Sequence, residues 1–289
     1  MTTIREMVVW GTQTLMDVDG YNARLDTQIL LGHVLGVERS ALYAYPEREV
    51  TAAQEQQFRA LIERRLQGEP VAYLTGHKEF YGLDLLVDQR VLIPRPETEL
   101  IVDAALQAIN TKLAAGQTPV VADIGTGSGA IPIALAVTEP LLPYLYACDI
   151  SPDALEVARL NCQRYHVQER VRLLEGDLLA PLPEPVDILT ANLPYVGTEE
   201  IELLTGDVYD YEPHLALFSG PNGLDLLLRF CTQARLSGTL KQGAVMVLEI
   251  GYQQKEAVTQ ILRDLWPDAT ISSILDYAGW ARLVQMVVY

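Results

Sequence analysis

Asn192, Leu193, Pro194 and Tyr195 follow an apolar run that ends in Ile188-Leu189. Their types and order suit one kind of chemistry. Pro194 disfavours the α region at the residue before it, so Leu193 is extended and its carbonyl oxygen can lie beside the side-chain oxygen of Asn192. Two neighbouring acceptors match the two hydrogens of a planar NH2 group, and Tyr195 can lie against the flat face of that group. An amide or aromatic amine nitrogen is a weak nucleophile because its lone pair is delocalised. Placing it in line with an electrophilic methyl, with acceptors where positive charge develops, then matters more than a strong base. The plainer alternative is a loop in which Asn192 bonds its own backbone.

Three further stretches carry residues that a ligand can use. In "VVADIGTGSGAIPIALA" (120 to 136) a strand leads through Gly125, Thr126, Gly127, Ser128 and Gly129 into a helix. The glycines let the backbone approach a ligand closely, and the N–H groups at the helix start favour a polar one. Gly125, Gly127 and Ala130 also satisfy the relaxed dinucleotide pattern, which keeps a nicotinamide enzyme in view. Asp149 closes the next strand and can accept both hydroxyl hydrogens of a ribose, while Ser151-Pro152 reads as the cap and first residue of the following helix. Asp177 and Leu178 end the third strand. The first can accept from an adenine amino group and the second can cover its ring.

These residues need strands whose carboxyl ends converge. From residue 96 the pattern alternates strand and helix: a helix at 98 to 115, strands at "PVVADIG", "YLYACDI", "RVRLLEG", "VDILTAN" and "AVMVLEI", and helices between most of them. Such alternation implies a parallel sheet covered by helices on both faces. The final strands, "ATISSIL" and "RLVQMVVY", have no helix between them, so they pair as a hairpin or enter antiparallel. Before residue 76 the spacing is helical. "ARLDTQILLGHVLGV" places Leu25, Ile29 and Leu35 near one face with Gly36 as a stop, and Thr51 caps a second helix that ends at Gly68 and Pro70. "EFYGLDLLVDQRVLIPRPETE" alternates around Gly82 as a hairpin does. The division predicted is a helical bundle over 1–75, a hairpin linker over 76–95 and an α/β domain over 96–289.

Composition narrows the classes. The chain has 289 residues, 49% of them hydrophobic, and a formal net charge of −17. Residues 1 to 95 hold 10 Lys/Arg against 13 Asp/Glu, and residues 96 to 289 hold 11 against 25. Phosphate backbones are gripped by basic fields, so the acidic α/β domain argues against direct nucleic-acid binding. No stretch approaches the roughly 18 to 20 apolar residues of a membrane helix and the N-terminus lacks a signal-peptide pattern, so a soluble cytoplasmic protein is expected. Cys148, Cys162 and Cys231 lack disulfide or zinc spacing, and no metal is expected. His33, His77, His166 and His214 fall outside the strand-end set.

The Gly125–Gly129 loop, Asp149 and "NLPY" resemble the class I S-adenosylmethionine-dependent methyltransferases. "VLIPRPETE" (91 to 99), "GDLLAPL", "EPHLALFSGPNGLD" (212 to 225) and "LEIGYQQ" carry the likeness further, to the HemK/PrmC family of peptide chain release factor glutamine methyltransferases. The resemblance covers nearly the whole chain. It implies a Rossmann-like seven-stranded sheet with the last strand antiparallel. The methyl donor, converted to S-adenosylhomocysteine, would bind Gly125 to Gly129, Asp149, Asp177, Leu178 and Asn192. The substrate would be the glutamine of a Gly-Gly-Gln loop in a class I release factor, held by Asn192, Leu193, Pro194 and Tyr195. A monomer whose helical bundle recognises the factor is expected.

Two departures stand out. The family usually has Pro at the position of Leu193, and "DYAGWARLV" (276 to 284) replaces a Gly-x-Asp-Arg segment, keeping Arg282 but placing Ala281 where the acid would be. Other readings are a nucleic-acid adenine N-methyltransferase using the same acceptors, a glutamine methyltransferase acting on a ribosomal protein, and a cofactor-binding module without turnover.

Overall fold

Two capping boxes begin the helical part. Thr3 and Glu6 form one ahead of α1 (Ile4–Leu15), and Thr51 and Gln54 form another ahead of α4 (Ala52–Leu66). Each box satisfies backbone N–H groups that the first helical turn leaves without partners. Between them lie α2 (Ala23–Leu35), which stops at Gly36 in the left-handed conformation, and α3 (Arg39–Ala44); α5 (Val71–Thr75) follows. The structure, a computed structural model, describes residues 2–16, 22–203 and 206–289. Contacts divide the chain into two units, residues 1–77 with 205–211, and residues 78–204 with 212–289.

The core of the first unit is Met7, Leu30, Leu31, Phe58 and Ile62. Helix α2 buries Leu35 as its spacing suggests but not Leu25. Leu25 is 39% exposed, whereas Asp26 and Thr27 are buried. The reason is polar pairing: Asp26 accepts from Arg65 at 2.8 Å, and Thr27 donates to the Ala23 carbonyl at 2.7 Å, so neither is left unsatisfied.

Next in the chain come the hairpin β1 (His77–Phe80) and β2 (Leu83–Leu86) and a 3₁₀ turn at Pro96–Thr98. Then come α6 (Glu99–Ala114), β3 (Val121–Ile124), α7 (Ala130–Thr138), β4 (Leu145–Asp149), α8 (Pro152–Arg164), β5 (Val171–Glu175) and β6 (Val186–Ala191). A short helix α9 (Gly206–Tyr211) belongs to the first unit, where the Tyr211 hydroxyl donates to the Gln67 carbonyl at 3.0 Å. The chain closes with α10 (Asp225–Ser237), β7 (Leu240–Glu249), α11 (Lys255–Leu265), β8 (Thr270–Leu275) and β9 (Ala281–Val287).

Among the described residues the sheet runs β5-β4-β3-β6-β7-β9-β8. It is parallel from β5 to β7, and β9 enters antiparallel between β7 and β8. Alternate residues of each strand face opposite helical layers. Val121 and Ile188 pack with Ile101, Ile109 and Ile133, while Ala122 and Leu189 pack with Phe230, Val258 and Leu262. This is the expected mostly parallel seven-stranded methyltransferase-like sheet with its last strand reversed. No helix among the described residues is long and apolar enough to cross a membrane.

Candidate active site

Strand order sets where a ligand can sit. The chain moves outward from β3 through β4 to β5, then reverses to β6 on the other side of β3. Ligands of open α/β sheets occupy the crevice beyond the carboxyl ends of the strands at such a reversal. Here that crevice is lined by Gly125 and Gly127 after β3, Asp149 and Ile150 at β4, Asp177 and Leu178 after β5, and Asn192, Leu193 and Pro194 after β6.

The glycine loop is narrower in its contacts than its composition suggests. The Gly125 and Thr126 N–H groups donate to the Cys148 carbonyl at 2.9 and 3.0 Å, which pins the loop to β4. Gly127 has φ +53° and a Cβ built there meets nothing within 4 Å, so the space over it is open to a ligand. Thr126 and Ser128 are buried and do not line the crevice. Gly129 caps α7 and packs on Ala158 of α8. Of five loop residues expected at a cofactor, two reach the crevice; the others shape the loop.

Asp149 is held from two sides. Its Oδ2 accepts from the Gly127 N–H at 2.8 Å and its Oδ1 from the Ser151 N–H at 2.9 Å. Burial raises its carboxyl above the ordinary value, against the pull of those backbone donors. A carboxylate has about four lone-pair sites, so acceptor capacity remains for ligand hydroxyls. Ser151 caps α8 through Ala154 N at 3.1 Å, with Pro152 first in the helix, as expected. Asp177 pairs with Arg229 at 2.5 Å, both half exposed. Leu178 is buried at φ +52°. Carboxylates at two strand ends, apolar Ile150 and Leu178, and an open glycine floor together suit a nucleoside. Cys148 also lines the crevice, but burial pushes its thiol up to about 12, which keeps it a neutral, unreactive side chain.

Asn192 is oriented by a contact invisible in the sequence. Its side-chain Nδ2 donates to the Thr98 hydroxyl at 3.1 Å. Thr98 in turn donates to Glu249 Oε2 at 2.7 Å, and the Tyr195 hydroxyl donates to Glu249 Oε1 at 3.3 Å. Leu193 lines the crevice and its side chain is buried in the core, where its Cδ2 would lie 3.2 Å from a Cβ on Gly125. Pro194 lines it too. Tyr195 is not among the lining residues. Expected as a wall of the crevice, it instead turns its hydroxyl to Glu249, and its carbonyl accepts from Gln254 at 2.8 Å.

Several residues had no assigned role. Arg90, Val91 and Leu92, expected in a linker, line the crevice, as do Pro213, Leu215 and Ala216. The two segments are tied by buried Glu212, which accepts from Arg95 at 2.5 Å and from the Ile93 N–H at 3.3 Å. Arg282 finds its carboxylate in Asp276, at 3.0 Å, rather than in the neighbour that Ala281 replaces. Glu249 was missed; the only local trace of it is an acid closing an apolar strand in "VMVLEI".

Comparison with known proteins agrees with this geometry. The chain is 38% identical over 285 residues to the release factor glutamine methyltransferase of Koribacter versatilis, covering 98% of this chain and 97% of that protein. It belongs to the release factor glutamine methyltransferase family. The family member from Moorella thermoacetica is 42% identical over 260 residues, with 90% of this chain and 89% of that protein covered. Residues 6–76 match the PrmC N-terminal domain and residues 99–207 the methyltransferase small domain. Among solved structures, the hMettl16 catalytic domain in complex with MAT2A 3'UTR hairpin 6 shares the fold at TM-score 0.57 and 13% identity, over 83% of each chain. That likeness is one of fold alone.

Proposed function

We propose that this protein transfers a methyl group from S-adenosylmethionine to the side-chain amide nitrogen of the glutamine in the Gly-Gly-Gln loop of class I peptide chain release factors. The observation that carries this reading is the orientation of Asn192: its NH2 is committed to Thr98, which leaves its carbonyl oxygen as the acceptor for a substrate amide. The relatives from Koribacter versatilis and Moorella thermoacetica, named for the same reaction, support it.

In this reading Gly125, Gly127, Asp149, Asp177 and Leu178 hold the donor, and Thr126, Ser128 and Gly129 support the loop. When bound, S-adenosylmethionine supplies an electrophilic methyl group on a positively charged sulfur and leaves as S-adenosylhomocysteine. Asn192 and the Leu193 carbonyl accept the two amide hydrogens of the glutamine, turning its nitrogen toward the methyl and stabilising the charge that develops on it. Leu193 serves in place of the family's usual proline because the acceptor is its backbone oxygen; its side chain fills core space beneath Gly125. Pro194 keeps that backbone extended. Tyr195 acts through Glu249 and through the turn that Gln254 ties to its carbonyl. The proton lost from nitrogen passes to water.

Residues 1–75 are assigned to recognition of the release factor, since a free amide cannot by itself distinguish one protein glutamine from another. Residues 76–95 are assigned to the connecting segment, whose hairpin spans 77–86 and whose Arg90, Val91 and Leu92 line the crevice, and residues 96–289 to the transferase. The excess of 25 acidic over 11 basic residues beyond residue 95 accords with a protein rather than a nucleic-acid substrate. The protein is assigned to the cytoplasm, as a monomer.

The test is transfer of labelled methyl to unmodified release factor, with a Gln→Ala variant of its Gly-Gly-Gln loop and ribosomal RNA in parallel. Label on the intact factor alone, abolished by Asn192→Ala, is the expected result. Label on RNA, or none on the factor, overturns the reading.

A further inference from the structure

Three side chains from distant parts of the chain meet behind Asn192. Thr98 closes the 3₁₀ turn ahead of α6, Glu249 ends β7 and Tyr195 follows β6. Thr98 is 4% exposed and Glu249 3%. Such deep burial of a carboxylate costs free energy unless its partners are well placed, and here Thr98 and Tyr195 supply them.

The role follows from counting hydrogens. An ionised carboxylate only accepts, so the Thr98 hydroxyl, 2.7 Å from Glu249 Oε2, must give it its single hydrogen. Thr98 Oγ1 then has only lone pairs to offer Asn192 at 3.1 Å. The Asn192 atom that meets it has to be a donor. A carbonyl there would face another acceptor.

We propose that Thr98 and Glu249 are positioning residues that fix the sense of the Asn192 amide, holding its NH2 on the protein so that its carbonyl oxygen is the atom presented to the substrate. The inference rests on the glutamine-amide reading above. Turned half a revolution, the Asn192 amide would set N–H donors against the NH2 of the substrate and repel it. An amide group alone has little preference between the two senses, and the relay supplies one.

The relay also has a pH dependence. Burial pushes Glu249 up to about 7, while Thr98, Tyr195 and Arg282 favour its ionised form and Glu97 opposes it. Protonated Glu249 can donate to Thr98, and the direction of the chain is then no longer fixed. Transfer should therefore fall as pH drops through about 7.

Two measurements test this. The first follows hydrogen exchange of the Asn192 side-chain amide by nitrogen-15 NMR, with the resonance identified by its loss in Asn192→Asp. Thr98→Val, which removes the hydroxyl at nearly constant volume, should abolish protection of that amide; Thr98→Ser, which keeps the hydroxyl, should restore it. Equal exchange in wild type, Thr98→Val and Thr98→Ser overturns the inference whether or not any substrate is turned over. The second compares methyl transfer to release factor. Thr98→Val should lower kcat roughly 10- to 100-fold with donor affinity within about twofold of wild type, and should flatten the pH profile near 7. Thr98→Ser should recover most of kcat. Unchanged kcat in Thr98→Val, or parallel loss of donor binding in both variants, overturns the proposal. Failure of wild type itself to methylate the factor refutes the functional reading instead, and the amide exchange still decides the relay.

Discussion

Asn161 donates its side-chain amide to the Ser128 carbonyl at 2.9 Å, from within helix α8 beneath the glycine loop. The same side chain also exchanges two hydrogen bonds with the backbone of Leu86, at 2.7 and 2.9 Å. One fully buried amide thereby joins the hairpin, the helix and the loop. Asn161→Leu strands three backbone groups, each costing about 1–3 kcal/mol when buried without a partner. The variant should lose at least about 3 kcal/mol in denaturant unfolding and bind S-adenosylmethionine more weakly. Wild-type stability in Asn161→Leu would show that water or a shifted loop replaces these bonds.

Gly223 lies against the loop that follows β6. A Cβ there would fall 2.0 Å from the Tyr195 carbonyl oxygen, and its φ of +73° already disfavours any side chain. Gly223→Ala should push the Tyr195 segment away and lower kcat for methyl transfer by about tenfold or more, with a smaller effect on donor affinity. Equal loss of both would mean that the disturbance spreads across the whole crevice.

Asp149 and Asp177 should separate in binding. Asp149 is buried and fixed by the N–H groups of Gly127 and Ser151, whereas Asp177 is half exposed and spends part of its charge on Arg229. Isothermal titration should find that Asp149→Ala weakens S-adenosylmethionine by more than about tenfold, about 1.4 kcal/mol. Asp177→Ala should cost less, because an exposed, paired carboxylate contributes little. The reverse order would move the ribose to the other strand end.

Asp123, buried in β3 with its Oδ1 accepting from Thr190 at 2.7 Å, gives a pH signature. Burial pushes its carboxyl up to about 7 from 3.8. The folded state therefore holds this proton more tightly than the unfolded state does. The resulting stability is fully present below about 4 and is lost as pH rises through about 7. Glu249 acts in the same direction. Melting scans should show wild type losing stability relative to Asp123→Asn between pH 4 and 8. A constant difference across that range would mean that Asp123 is ionised throughout.

What was legible in the sequence follows from locality. Strands separated by helices force a parallel sheet, and residues at strand ends face its crevice, so Gly125, Asp149 and Asn192 were readable by position alone. The hairpin-like pair at the end was readable for the same reason. The partners of those residues were not. Thr98 and Glu249 are 151 residues apart and meet only because β7 lies beside β6 and the turn ahead of α6 passes over its end. Arg90 to Leu92 read as linker because nothing local marks a segment that Glu212 fastens from 117 or more residues away. Leu25 misled for the opposite reason: its apolar spacing was local, but the pairing of Asp26 with Arg65 chose the buried face. Tyr195 was placed by its type, and the carboxylate that claims its hydroxyl belongs to another strand.

Strand β9 lies between β7 and β8 although it follows both in the chain. Synthesis runs in one direction, so β8 emerges with no neighbour to pair with and β7 with one edge bare, until residues 281–287 arrive to fill the slot. A nascent chain interrupted ahead of that point would carry three open strand edges there, one on β7 and both on β8, and its quality control would depend on how quickly the last inserted strand follows.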